Sequence, residues 1–113
     1  MLLFRCFLAV IISTIAVYTS VVIGEHGLGL FSVFLGDIAK MGWPGQFNLD
    51  FLGFLSLSAF WLAWRNEFSP AGLGLGLLGF FGGAPVLAAY LLFASISVGG
   101  DVPALLLGPS RAE

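Results

Sequence analysis

Glu25, His26, Asp37, Asn48, Asp50 and Asp101 are the side chains of this 113-residue chain whose types could act together. One imidazole among carboxylates suits an oxygen-rich metal site or a proton relay. The spacing supports neither. His26 is the only histidine, so no H-x-x-x-H or H-E-x-x-H pair exists. No nucleophile stands at local spacing from a base. The expectation is a solvated interfacial histidine, with no metal and no cofactor. Asp50 is the most informative of the set. A carboxylate just inside a hydrocarbon boundary is costly unless hydrated or paired. Near the start of a helix it also gains from the helix dipole. Asn48 and Asp50 are therefore read as caps and anchors, with contact to a ligand, an ion or a lipid headgroup as the functional alternative.

The elements that position these residues follow from composition. Hydrophobic residues make up 59% of the chain and charged residues 9%, against about 25% charged in soluble domains. Ten charges cannot coat a globule of this size. Lipid is the solvent this implies. The chain reads as one all-α membrane domain over residues 1–113. The formal net charge of −2 carries no basic tract, which excludes nucleic acid as a partner. Cys6 is the single cysteine, so an intramolecular disulfide is excluded. It reads as a small apolar residue near a helix end.

A crossing helix needs about 20 mostly apolar residues, because the hydrocarbon core is about 30 Å thick. Three segments qualify. The first runs from about Leu2 to Ile23, with Arg5 near its start as an anchor that snorkels to the headgroups and Gly24-Glu25-His26-Gly27 at its end. A cleaved signal peptide is the alternative, but its positive region is thin and its apolar run long. The second runs from about Phe47 to Trp64. Only the 14 residues Phe51 to Trp64 follow Asp50 without a charge, a length that also suits a re-entrant or interfacial segment. The favoured reading is a full crossing with Asn48 and Asp50 at the opposite headgroup level. Its exit, Trp61, Trp64 and Arg65, has the pattern of an aromatic belt with a positive anchor. The third runs from about Ala71 to Val98 without a charge, entered by Ser69-Pro70 as cap and first helical position. Between the first two, residues 28–40 place Leu30, Phe31, Phe34, Leu35 and Ile38 on one face. That pattern predicts a short amphipathic helix in the interface, with Trp43 at headgroup depth in the turn that follows.

Glycine supplies the packing signal. Gly72, Gly76, Gly79 and Gly83 line one face of the third segment and permit close backbone approach. Their partner is another helix of the chain or a second copy. Gly74-Leu75-Gly76-Leu77-Leu78-Gly79 also matches G-x-G-x-x-G. It lies inside an apolar run, without the preceding strand that a dinucleotide site requires. Pro85 removes one helical hydrogen bond and, with Gly82-Gly83, predicts a kink. Ser56, Ser58, Ser95 and Ser97 read as back-bonding or interhelical contacts.

Three crossings place Glu25, His26, Asp37, Asn48, Asp50 and Asp101 at one membrane edge. Lys and Arg divide two against two: Arg5 and Arg65 on one side, Lys40 and Arg111 on the other. Arg5 and Arg65 flank their helices directly, and the amino terminus joins them, so the positive-inside rule predicts a cytoplasmic amino terminus and an external carboxyl terminus.

Phe47-Asn48-Leu49-Asp50-Phe51, Trp61-Leu62-Ala63-Trp64-Arg65 and Ala89-Tyr90-Leu91-Leu92 resemble segments of small bacterial three-helix membrane proteins of uncharacterised function. The resemblance covers about Thr19 to Ala94. It implies a three-helix layout in a bacterial inner membrane and no activity. The leading functional expectation is a non-enzymatic accessory or homo-oligomeric subunit working through helix–helix contact. The alternatives are an oligomeric transporter or channel component using Asp50, and an interfacial lipid-modifying enzyme using His26 and the carboxylates.

Overall fold

A computed structural model describes residues 1–112. Within that range the chain forms six helices and no strand. The first, α1 (Leu2–His26), is 25 residues long. It contains no charge between Arg5 and Glu25, a separation of about 30 Å at helical rise. Gly27 ends it, at φ 76°, with its N–H bonded to the Ile23 carbonyl. Leu8 is the one buried residue of α1, so little of its apolar surface is covered by the rest of the chain.

The short helix α2 (Leu30–Ala39) and the long helix α3 (Trp43–Arg65) form an antiparallel pair at the far end of α1. Gly45 makes the pairing tight. A Cβ there would collide with the Asp37 carbonyl and the Ile38 backbone. The Asn48 side-chain amide donates to the Phe34 carbonyl at 3.2 Å. The predicted α2 face is split by this packing. Phe34 and Ile38 are half-buried, while Leu30, Phe31 and Leu35 stay uncovered. Pro44 occupies the first turn of α3, where its missing N–H would have no intrahelical acceptor. The helix thus begins earlier than the expected residue 47. Asn48 and Asp50 lie one to two turns inside it, and neither caps its start. Both α1 and α3 are long and apolar enough to cross a membrane.

The third apolar segment departs from expectation. It forms α4 (Pro70–Gly82) and α5 (Ala84–Ser97) instead of one helix over 71–98. Ser69 does cap α4, accepting from the Gly72 N–H at 3.0 Å. Gly83 separates the two helices at φ 68°, ψ −148°, a conformation that side chains exclude. Pro85 stands in the first turn of α5, so it takes no hydrogen bond from a helix interior. The predicted kink is therefore a complete break, set by Gly83.

Beyond the break the chain doubles back. α4 runs antiparallel to α3: Gly72 lies against Ala63 and Asn66, Gly76 against Ala59, and Gly83 against Phe51 and Leu55. α5 then returns beside α1 and the end of α3. The Tyr90 hydroxyl accepts from Arg65 at 2.7 Å and from Asn66 at 2.9 Å. Arg5 donates to the Ser95 hydroxyl at 3.1 Å and the Ser95 carbonyl at 3.0 Å. Both ends of the α4–α5 hairpin thus lie at the Arg5–Arg65 end of the molecule. Its tip reaches the level of Phe51, about 21 Å along α3 from Arg65.

The short helix α6 (Val102–Leu107) docks at the same end. Arg65 donates to the Leu105 carbonyl at 2.6 Å and the Ala104 carbonyl at 3.2 Å. The Trp61 indole donates to the Leu106 carbonyl at 3.2 Å. The Leu105 and Leu106 carbonyls are among those a helix C-terminus leaves without partners, while the Ala104 carbonyl also accepts from the Gly108 N–H. Arg111 stacks on the Trp64 ring, 4.2 Å from its centroid, and also donates to the Trp64 carbonyl. The tail therefore shares an end with Arg5, against the expectation that it lies opposite.

Candidate functional site

The polar residues expected along one edge do not gather into a site. Glu25 and His26 end α1 with their side chains 3.9 Å apart and both largely exposed. Asp37 is half-buried on α2. Asn48 is occupied by the Phe34 carbonyl. Asp101 precedes α6 at the opposite end, next to Gly100, which lies against Met1. The third segment turns back before reaching the far end, and this removes Asp101 from the edge. Among the described residues no three His, Cys, Asp or Glu side chains converge in a metal-binding group.

Asp50 is placed differently from the rest. At 100° per residue, Leu52, Leu55, Ala59, Leu62 and Ala63 share one side of α3. That side carries the seam with α4; Leu62 and Ala63 are buried there. Asp50 projects from the opposite side. It shares that side with Trp43, Phe47, Phe54 and Leu57, which are 74%, 65%, 65% and 70% exposed. Within the described residues no cation or hydrogen-bond donor of the chain pairs with its carboxylate. Asp50 is seven residues past Trp43, or about 10 Å along the helix. It is the one acidic residue of α3, and it stands on the part of this face, Trp43 to Leu57, that the chain leaves uncovered; further on, Trp61 and Trp64 of the same face hold the tail.

The basic residues collect at the other end. Arg5, Arg65 and Arg111 account for three of the four Lys and Arg residues. Each is tied to neutral acceptors: Arg5 to Ser95, Arg65 to Tyr90 and α6 carbonyls, Arg111 to Trp64. Arg5 and Arg65, expected as headgroup anchors, are employed by the fold as cross-links between elements. Trp61 and Trp64 likewise hold the tail, with Trp61 edge-on to Tyr90. Trp43, at the start of α3, stays exposed beside Phe47. Tyr90 and Ser95 complete this network: the Ser95 hydroxyl both donates back to the Leu92 carbonyl and accepts from Arg5, while nothing in the sequence points Tyr90 at Arg65.

The glycine face is consumed within the chain. A Cβ on Gly76 would come within 2.8 Å of the Ala59 carbonyl, and one on Gly79 within 2.5 Å of a Leu62 methyl. The G-x-G-x-x-G match lies wholly inside α4 with no strand before it among the described residues, so it has none of the geometry that binds a pyrophosphate. A cleft of about 580 Å³ opens at the hairpin tip, between Ala16 and Thr19 of α1, Phe51 and Leu55 of α3, and Gly83 and Pro85. Its walls are mainly hydrocarbon, with Thr19 and Ser20 the only hydroxyls among its lining residues.

Comparison with protein-family models, with curated proteins and with solved structures finds no match to this chain.

Proposed function

We propose that this chain is a small integral membrane protein that works as a subunit, through helix–helix contact in the plane of the bilayer. Its crossings are α1 and α3, and α4–α5 forms a re-entrant hairpin entering and leaving on one side. The lengths and apolar character of α1 and α3 support the crossings. The doubling back at Gly83, with Tyr90 against Arg65, supports the re-entrant layout. In this arrangement Arg5, Arg65 and Arg111 share one side and only Lys40 lies on the other. The charge division becomes three to one where the linear sequence suggested two to two, and it favours a cytoplasmic location for that end, the tail included.

One observation carries the subunit reading. Asp50 lies within a crossing helix, on a face that the chain leaves uncovered from Trp43 to Leu57 and covers only further on, where Trp61 and Trp64 meet the tail. A lone carboxylate facing lipid costs about 2.5–3.5 kcal/mol near the bilayer centre on insertion scales, less near the interface. A fold that hid this group had Asn48 and the α2 pairing close at hand. The carboxylate is left instead among four large exposed apolar side chains. The glycine face, which sequence alone left open to a second copy, is already filled by α3.

Photo-crosslinking in intact native membranes tests this reading. A photoreactive residue at Phe54, on the outer face, is expected to give an intermolecular adduct. The same probe at Ala59, inside the seam, is expected to give only intramolecular links. Absence of any intermolecular adduct from Phe54 and from Leu57 would rule out the subunit reading.

A further inference from the structure

The geometry points to a specific occupant for the outer face of α3: a transmembrane helix of another protein carrying one lysine or arginine about two turns from the membrane edge marked by Trp43. This rests on the subunit reading and adds the chemistry of the partner.

The argument begins with depth. Arg5 and Glu25 bracket the uncharged run of α1, a separation of about 30 Å that matches the hydrocarbon core. Arg5 and Arg65 lie at one end of the molecule, joined through α5 by Ser95 and Tyr90. The residue of α3 about 30 Å from Arg65 is near Gly45. Asp50 then falls about 7 Å inside the opposite boundary. An aspartate has too short a side chain to reach headgroups from that depth, unlike the long stems that allow lysine and arginine to do so. An opposite charge of the same depth on a neighbouring helix removes the penalty for both partners, and large apolar residues around the pair exclude competing water. Phe47, Phe54 and Leu57 are arranged around Asp50 for that purpose, each more than half exposed within this chain.

A second copy does not supply the cation. Inserted in the same orientation, it brings another Asp50 to this level. Its Arg5, Arg65 and Arg111 lie at the opposite end, bound to Ser95, to α6 and to Trp64. Its Lys40 precedes Trp43 in the α2–α3 turn, outside the depth of Asp50. The complementary charge must therefore come from a different chain.

The test uses the full-length protein in lipid vesicles, with energy transfer to leucine-rich transmembrane peptides as the reading. One peptide carries a lysine two turns from the matching end, one carries leucine there, and one carries aspartate. The lysine peptide is expected to associate about tenfold more strongly than the leucine peptide, the scale seen for polar pairs between model membrane helices. Asp50→Asn should erase that difference. Asp50→Lys should reverse it, so that the aspartate peptide is preferred. Asp50 lies outside every seam, so these variants retain the fold; Phe54→Ala is a second variant, expected to weaken the lysine peptide without abolishing its preference over leucine. Equal binding of lysine and leucine peptides would overturn the charge pairing while leaving contact through α3 intact. Preferential self-association that survives Asp50→Asn would overturn the assignment to a different chain. A failed crosslink at Phe54 would instead remove the subunit reading itself.

Discussion

The Tyr90 hydroxyl accepts a hydrogen bond from the Arg65 guanidinium at 2.7 Å, joining the middle of α5 to the last residue of α3. Arg65 also precedes α4 by only a short turn. The segment that leaves α3 at Ser69 is therefore back beside it by Tyr90. A straight helix over residues 71–98 would put Tyr90 about 30 Å away from that start. This contact decides the path of the whole carboxyl-terminal half.

The first consequence concerns sidedness. With Cys6 replaced by serine, Glu67→Cys and Ser110→Cys are expected to react with a membrane-impermeant maleimide from the same side. Ser32→Cys, in α2, is expected to react from the other. Glu67 and Ser110 already share a hydrogen bond of 2.6 Å. Labelling of Ser110→Cys together with Ser32→Cys would restore a third full crossing.

Packing of the hairpin on α3 predicts a contrast between two neighbouring glycines. Gly76 faces the Ala59 carbonyl, whereas nothing lies within 4 Å of a Cβ built on Gly74. Gly76→Ile should destabilise by about 1–3 kcal/mol through overpacking. Gly74→Ile should be close to neutral. Unfolding titrations in mixed micelles compare the two, and equal losses would argue against the α3–α4 seam.

The break between α4 and α5 depends on Gly83 more than on Pro85. Gly83→Ala forces a side chain into a backbone region closed to it, with a cost of about 1–3 kcal/mol. The added Cβ also meets the Phe51 ring at 3.3 Å. Pro85→Ala should cost no more than about 1 kcal/mol, chiefly by loosening the unfolded chain. The same micelle titration orders them, and a greater loss for Pro85→Ala would reassign the cause of the turn.

Docking of α6 should require the guanidinium itself. Arg65 uses three separate nitrogens, on Leu105, Tyr90 and Ala104. A lysine offers one point of charge and cannot hold that fork. Arg65→Lys and Arg65→Gln are both expected to release α6, with Tyr90→Phe losing about 1–3 kcal/mol of the network. Hydrogen exchange at the Leu105 and Gly108 amides, which donate to the Asp101 and Ala104 carbonyls, reports the release. Unchanged protection in Arg65→Lys would show that charge alone suffices.

Much of this protein is set by the linear order of its residues. The uncharged run between Arg5 and Glu25 dictates α1, and the mostly apolar stretch broken only by Asp50 dictates most of α3; both are long and apolar enough to cross a membrane. The apolar spacing of residues 28–40 dictates α2, and Ser69-Pro70 dictates where α4 begins. The four-and-three spacing of Gly72, Gly76, Gly79 and Gly83 dictates a close helix contact, though not its partner. Asp50 stands out in the sequence because a charge interrupts an apolar run. Its isolation emerges only when the fold assigns the opposite face of α3 to α4. Tertiary structure alone decides the route of the third segment. An apolar stretch of that length satisfies its backbone equally well as one tilted helix or as two shorter ones. The choice comes from a single glycine conformation at Gly83 and from Tyr90 and Ser95 meeting Arg65 and Arg5 across 25 and 90 residues, contacts that no local pattern encodes.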